Sequence, residues 1–180
     1  KGEIRDQWHH VNDVAATVFE ATNLPAPKSV NGVKQKPLDG VSMLYAARDA
    51  EAEDRHTVQY FEMFGNRAIY ADGMLARVIH RVPWQDAPLN TLQEDVWELY
   101  NIEDDCALTT DLAAQDPKTL KKLQKLFEKE AIANNVFPLD DLVFERFNAA
   151  IAGRPDLMGD RKSLTLANGM VGLFENTFIN

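Results

Sequence analysis

Apolar and polar residues alternate through Gln59-Tyr60-Phe61-Glu62-Met63-Phe64-Gly65-Asn66-Arg67-Ala68-Ile69-Tyr70-Ala71, and the run closes on Asp72-Gly73. A period of two marks a half-buried strand, and Asp-Gly suits a tight hairpin turn. A further strand-like run, Met74 to Val82, follows at once and is broken by Pro83-Trp84. Three strands are therefore predicted, at 56–64, 67–71 and 74–82, as neighbours in an antiparallel sheet. Val96-Trp97-Glu98-Leu99-Tyr100 alternates again and predicts a fourth.

A helical period flanks the strands. Val11, Val14, Ala15, Val18 and Phe19 recur at helical spacing and predict a helix from His9 to Ala21, ended by Asn23, Pro25 and Pro27. The prolines and glycines of residues 24–40 predict an irregular loop with turns at Asn31-Gly32 and Asp39-Gly40, then a short helix from Met43 to Arg48. Asp116-Pro117 is a strong helix start, an acceptor at the N-cap followed by proline. Leu120, Leu123, Leu126, Phe127 and Ala131 form the stripe of that helix, with Lys118, Lys121, Lys122 and Lys125 off it. A sheet with one apolar face needs a cover, and this helix is its natural one. A last helical run is predicted from Pro138 to Ile151, with Leu142, Val143, Phe147 and Ala150 as its apolar side. Residues 153–180 read as an extended arm.

The expectation is an α+β fold: a four-stranded antiparallel sheet packed against a long amphipathic helix, with an N-terminal helix and an extended C-terminal arm. A chain of 180 residues with 45% hydrophobic residues is enough for one domain and its core. A net charge of -9 argues against a nucleic-acid surface and against an anionic membrane. No apolar stretch reaches the length of a membrane span. The single cysteine excludes an internal disulfide and leaves a bacterial periplasm or a cytoplasm open. The chain opens on Lys1 without a methionine, so a leader removed from it would leave no trace.

Candidate chemistry is sparse. His9 and His10 each lie within three or four residues of Asp13, a spacing that suits two metal ligands on a helix, but capping and packing are the more ordinary uses of such residues. A small metal-dependent hydrolase built on these three and the acidic loop Glu103-Asp104-Asp105 is the least favoured function. Cys106 sits beside those carboxylates, which raise a thiol pKa, so a half-buried structural cysteine is expected rather than a nucleophile. Glu103, Asp104, Asp105 and Asp111 lack the EF-hand spacing and read as a solvated loop. Asn66 and Arg67 are candidates for the rim of a substrate groove, with Arg67 tying a strand end to a carboxylate as the structural alternative. The lysines of the long helix read as a solvated face. No phosphate loop, Gly-x-Ser-x-Gly elbow or His-Glu-x-x-His is present.

Several segments resemble the type I arylsulfatases, in the same order. Gly2-Glu3-Ile4-Arg5-Asp6-Gln7-Trp8-His9-His10-Val11-Asn12-Asp13-Val14 resembles the strand-to-helix passage late in their catalytic domain, and Glu20-Ala21-Thr22-Asn23-Leu24 its helix end. The stretch from Asn31 to Met43 is similar to a loop carrying a Gly-x-Ser step. Gly65-Asn66-Arg67-Ala68-Ile69-Tyr70 and Trp97-Glu98-Leu99-Tyr100-Asn101 resemble two strands of the small C-terminal domain. Asp111-Leu112-Ala113 and the lysine-rich helix follow, and Phe137-Pro138-Leu139-Asp140 and Gly153-Arg154-Pro155 resemble the long bacterial members. Ala16 stands where the family usually has proline, and Gly73-Met74-Leu75 where it has Gly-Trp-Lys.

The resemblance implies a C-terminal fragment: 1–50 the end of the catalytic domain, 51–152 the small α+β domain, 153–180 the arm. It implies sulfuric ester hydrolysis by the full-length parent, using calcium and a formylglycine made from a Cys-x-Pro-Ser-Arg cysteine. Cys106 is followed by Ala107-Leu108-Thr109 and does not match, so no catalytic residue, metal ligand or cofactor is expected within this chain. The implied partner is the missing N-terminal catalytic half. A homo-oligomer through apolar surface left exposed on the first helix is a further expectation. The alternative is a non-catalytic binding or oligomerisation module with the sulfatase C-terminal fold.

Overall fold

The computed structural model describes residues 2–85, 87–143, 148, 163–165 and 171–173. The chain divides into two compact units, Lys1–Asp140 and Asp141–Asn180. The first unit holds helix α1 (Asp13–Thr22), a small hairpin of β1 (Ser29–Val30) and β2 (Val33–Lys34), helix α2 (Leu44–Arg48), strands β3 (Val58–Met63), β4 (Asn66–Ala71), β5 (Met74–Val78) and β6 (Glu98–Asn101), and helix α3 (Pro117–Ala133). β3 to β6 form one antiparallel sheet in sequence order. The fold is α+β.

Three two-residue turns set the hairpins. Asn31-Gly32 and Asp72-Gly73 both take positive φ at each position, as a type I′ turn requires. The third turn, Phe64-Gly65, does the same with φ 55 and 85. The expected strands at 56–64 and 67–71 put this turn at Gly65-Asn66; it lies one residue earlier, although phenylalanine in the left-handed region costs about 1–2 kcal/mol. The surroundings impose it: the Gly65 amide donates to Glu62 Oε1 at 3.1 Å, and a Cβ on Gly65 would lie 2.5 Å from the His80 ring.

The pairing register aligns Tyr60, Ile69, Ala76 and Leu99 in one row across the sheet, with Val58, Ala71 and Met74 in the next. This face meets Leu123, Phe127 and Ala131 of α3, giving a core of Ile69, Ala71, Ala76, Leu99, Leu123, Phe127 and Ala131. α3 begins as expected, the Asp116 carboxylate accepting from the Thr119 amide at 3.0 Å with Pro117 behind it.

The other sheet face is covered by the segment before α1, whose residues 9–12 were expected to be helical. Trp8 stacks on Tyr70 at 4.1 Å between ring centroids, and His10 meets Phe61 edge-on at 5.3 Å. Arg5 Nε donates to the Ala46 carbonyl at 2.6 Å, and Gln7 Nε2 to the carbonyls of Ala50 and Ala52 at 2.8 and 2.9 Å. The sheet thus lies between α3 and this N-terminal segment.

Several boundaries differ from expectation, α1 among them, which begins at Asp13 rather than His9 because residues 8–10 pack on the sheet and turn into the helix at 11–12. β5 stops at Val78 rather than Val82, because Asn66 Oδ1 takes the amides of His80 and Arg81 at 3.0 and 3.1 Å and turns the chain off the ladder. The helical run expected from Pro138 is not formed over 138–143. Val136 returns its amide to the Ala131 carbonyl at 2.9 Å and Phe137 packs edge-on to Phe127, so the chain is drawn back along α3 first. Of the rest of that run only Asn148 is described. The arm at 153–180 lies outside the described residues except for β7 (Ser163–Thr165) and β8 (Val171–Leu173), an antiparallel pair in the second unit.

Candidate functional site

The strongest polar constellation gathers at the start of α1. Asp13 is fully buried. Its carboxylate accepts the amides of His10 at 2.9 Å and Val41 at 2.8 Å, and lies 2.7 and 2.9 Å from Nδ1 of the buried His56. Gly40 admits the loop to this point, since any Cβ there would overlap the Asn12 carbonyl. Burial pulls the Asp13 carboxyl upward, but the two amides and the His56 ring outweigh it, and it titrates below the ordinary 3.8.

The far side of the ring is held as well. His56 Nε2 lies 3.1 Å from Gln59 Oε1, whose amide nitrogen donates to the Tyr60 carbonyl at 2.6 Å. A carbonyl can only accept, so the Gln59 oxygen is the atom turned to His56. Asn12 Nδ2 also donates to that oxygen, at 3.3 Å. Both ring nitrogens are therefore engaged by the protein, and neither is presented to a substrate. Chemically the cluster is a clasp of three chain segments, α1, the 40–43 loop and the start of β3.

A second clasp closes the far end of the sheet. Arg67 Nη1 donates to Asp95 Oδ2 at 2.7 Å and to the Gly65 carbonyl at 3.0 Å, and its guanidinium lies over the Trp97 ring at 5.5 Å. Asp95 also takes Nδ1 of His80, 3.0 Å from each oxygen. The rim candidates thus both hold the strand end, Asn66 by accepting two amides and Arg67 by pairing with a buried carboxylate.

The other sequence candidates are scattered. His9 Nδ1 is 3.8 Å from Asp13, beyond a hydrogen bond, and its ring meets Tyr45. Among the described residues no three His, Cys, Asp or Glu side chains converge as metal ligands. Two carboxylates in and after the acidic loop serve the backbone: Asp105 accepts the amides of Thr109 and Thr110 at 2.7 and 2.8 Å, and Asp111 those of Leu99 and Ala113 at 2.9 Å each. Those amides hold the Asp105 carboxyl below its ordinary value, Thr110 foremost. Cys106 is exposed, not half-buried as expected, because the Asp105 turn carries it on the loop surface. His56, His80 and Asp95 were missed. Their only sequence signal is a titratable residue at a strand boundary, which is too common to single out.

No protein-family model and no curated protein matches the chain. Among solved structures it is similar to a Bacteroides thetaiotaomicron chain from the metabolism of multiple glycosaminoglycans, BT33336S-sulf, at 17% identity over 65% of this chain and 24% of that one, with a TM-score of 0.44. It is also similar to Ps i-CgsB, alone and in complex with k-i-k-neocarrahexaose, at 20% identity over 79% of this chain and 28% of that one, with a TM-score of 0.49. These are chains of the sulfatase family. The present chain spans about a quarter of their length.

Proposed function

We propose that this chain is the C-terminal portion of an arylsulfatase-type sulfuric ester hydrolase, and that it completes that enzyme without carrying its chemistry. The observation that carries the reading is the polarity of α1. Its only buried residue is Asp13, while Val14 and Val18 are 49% and 55% exposed and Val11, in the turn just before it, is 76% exposed. A helix that buries a carboxylate and leaves its valines outward is built to be covered. It lies in the segment that resembles the strand-to-helix passage of the arylsulfatase catalytic domain, so the cover is the parent's catalytic half. When that half is absent, two copies meet through the same face.

Calcium and formylglycine belong to the parent. The residues here do not fit either group: Asp105 and Asp111 spend their carboxylates on backbone amides and Asp104 takes the Asn101 side chain, and Cys106 lacks the Pro-Ser-Arg that follows a formylglycine precursor. A second reading, a non-catalytic binding or oligomerisation module of the same fold, is favoured by a core contained within Lys1–Asp140.

The test is turnover of a chromogenic aryl sulfate with calcium. This chain alone should give none. Added to the matured N-terminal portion of the parent, it should restore turnover that the portion lacks by itself. Turnover by the chain alone, or no gain on combination, would overturn the reading, the second outcome in favour of the binding module.

A further inference from the structure

Helix α3 carries five exposed lysines, Lys118, Lys121, Lys122, Lys125 and Lys129. At about 100° per residue they fall within an arc of about 100° and run along about 16 Å of one side of the helix. Leu123, Phe127 and Ala131, which enter the core, mark the opposite side. The stripe therefore points straight away from the sheet. It collects five of the 19 cationic side chains of a chain with 28 acids.

The arrangement works against helix stability. Neighbouring lysines three and four apart repel, and cations near a helix N-terminus oppose the macrodipole. α3 has no acid in its first turn and no base in its last. Its acids Glu128 and Glu130 come late instead, where the dipole disfavours them. A merely solvated face would mix the signs so that they paired. Among the described residues the only ion pair on the stripe joins Lys129 to Glu130 at 3.9 Å, and Asp116 at the cap is the acid near Lys118. Charge placed at a cost to the fold is charge available to a ligand.

We propose that this stripe docks a sulfated polysaccharide. The choice of sulfate as the anion rests on the function proposed above. The choice of a glycan chain rests on the face itself. Lysine offers compact, hydrated point charges suited to a row of separate anionic groups. The stripe has no arginine and no aromatic platform on which nucleic-acid bases would stack. Apart from Ile132 at its C-terminal end, which is exposed, the stripe has no apolar residue, and the apolar side of α3 is committed to the core, which leaves too little apolar surface to enter a membrane.

The test uses the full 180-residue chain and needs no turnover, so it stands apart from failure of the sulfatase reading. Binding to dextran sulfate, carboxymethyl dextran of matched charge, duplex DNA and phosphatidylserine vesicles is compared at several salt concentrations. The variant with all five lysines changed to Gln is set against a control, Lys28→Gln with Lys34→Gln, two exposed lysines of the small hairpin. Circular dichroism confirms that the variants keep their helix. The expected result is preference for dextran sulfate, weakening with salt, reduced about tenfold or more in the five-lysine variant and little changed in the control. No binding of dextran sulfate, equal loss in the control, equal binding of carboxymethyl dextran, or tighter binding of DNA or vesicles would overturn the proposal.

Discussion

Asp13 has an apolar surface for neighbours along the sequence and a polar clasp for neighbours in space. Two amides and an imidazole converge on it in full burial. Asn at this position keeps one acceptor but turns an amide donor toward groups that are themselves donors. Asp13→Asn is expected to lower stability by about 3 kcal/mol, the usual scale for breaking a buried pair from one side, read as a fall in the urea midpoint at unchanged m-value. The pH dependence has a definite sign. The folded carboxyl titrates below 3.8, so the unfolded chain takes up the proton first. The contribution is complete above the ordinary carboxyl value and is lost as pH falls through the lower, folded one. Urea midpoints measured from pH 6 downward should fall more steeply in the acid for the unchanged chain than for Asp13→Asn. Parallel curves would show that the clasp stores no such energy.

At the scale of elements, the strands and α3 were legible because each follows one period. Alternation placed four strands, and the Asp116-Pro117 start with a stripe of Leu123, Phe127 and Ala131 placed the helix and its buried side. Asp72-Gly73 was legible as a turn because its residues tolerate positive φ. The next turn back was legible only to within a residue, expected at Gly65-Asn66 and found at Phe64-Gly65, because its conformation is imposed by the packing of His80 behind it. Gly65→Ala should therefore cost about 1–3 kcal/mol, from a Cβ at positive φ and 2.5 Å from the His80 ring. Thermal denaturation followed by circular dichroism would show it, and an unchanged midpoint would mean that the turn relaxes freely. The end of β5 was misplaced for a related reason. Asn66 captures two amides fourteen and fifteen residues away, a contact without any local pattern.

For the whole molecule the decisive feature is the outward apolar side of α1. Changing Val14 and Val18 together to Ser removes its centre while leaving Asp13 and its partners in place. Sedimentation velocity over a range of concentrations should show self-association of the unchanged chain weakened in this double variant, with little loss of stability because both positions face water. If both proteins sediment alike, the face is not where copies meet.

By itself the sequence determined the fold class, the four-stranded antiparallel sheet and the helix that covers it, because these rest on short-range periods and turn residues. Only the tertiary structure decided which way α1 faces, that Trp8 and His10 cover the second side of the sheet, and that Asp13, His56, Arg67, His80 and Asp95 form clasps. The physical reason is that a period tells which residues share a face but not what that face meets. Val11, Val14 and Val18 share a face that would serve a core equally well. What turned it outward is a buried carboxylate whose partners, Val41 and His56, lie 28 and 43 residues away along the chain.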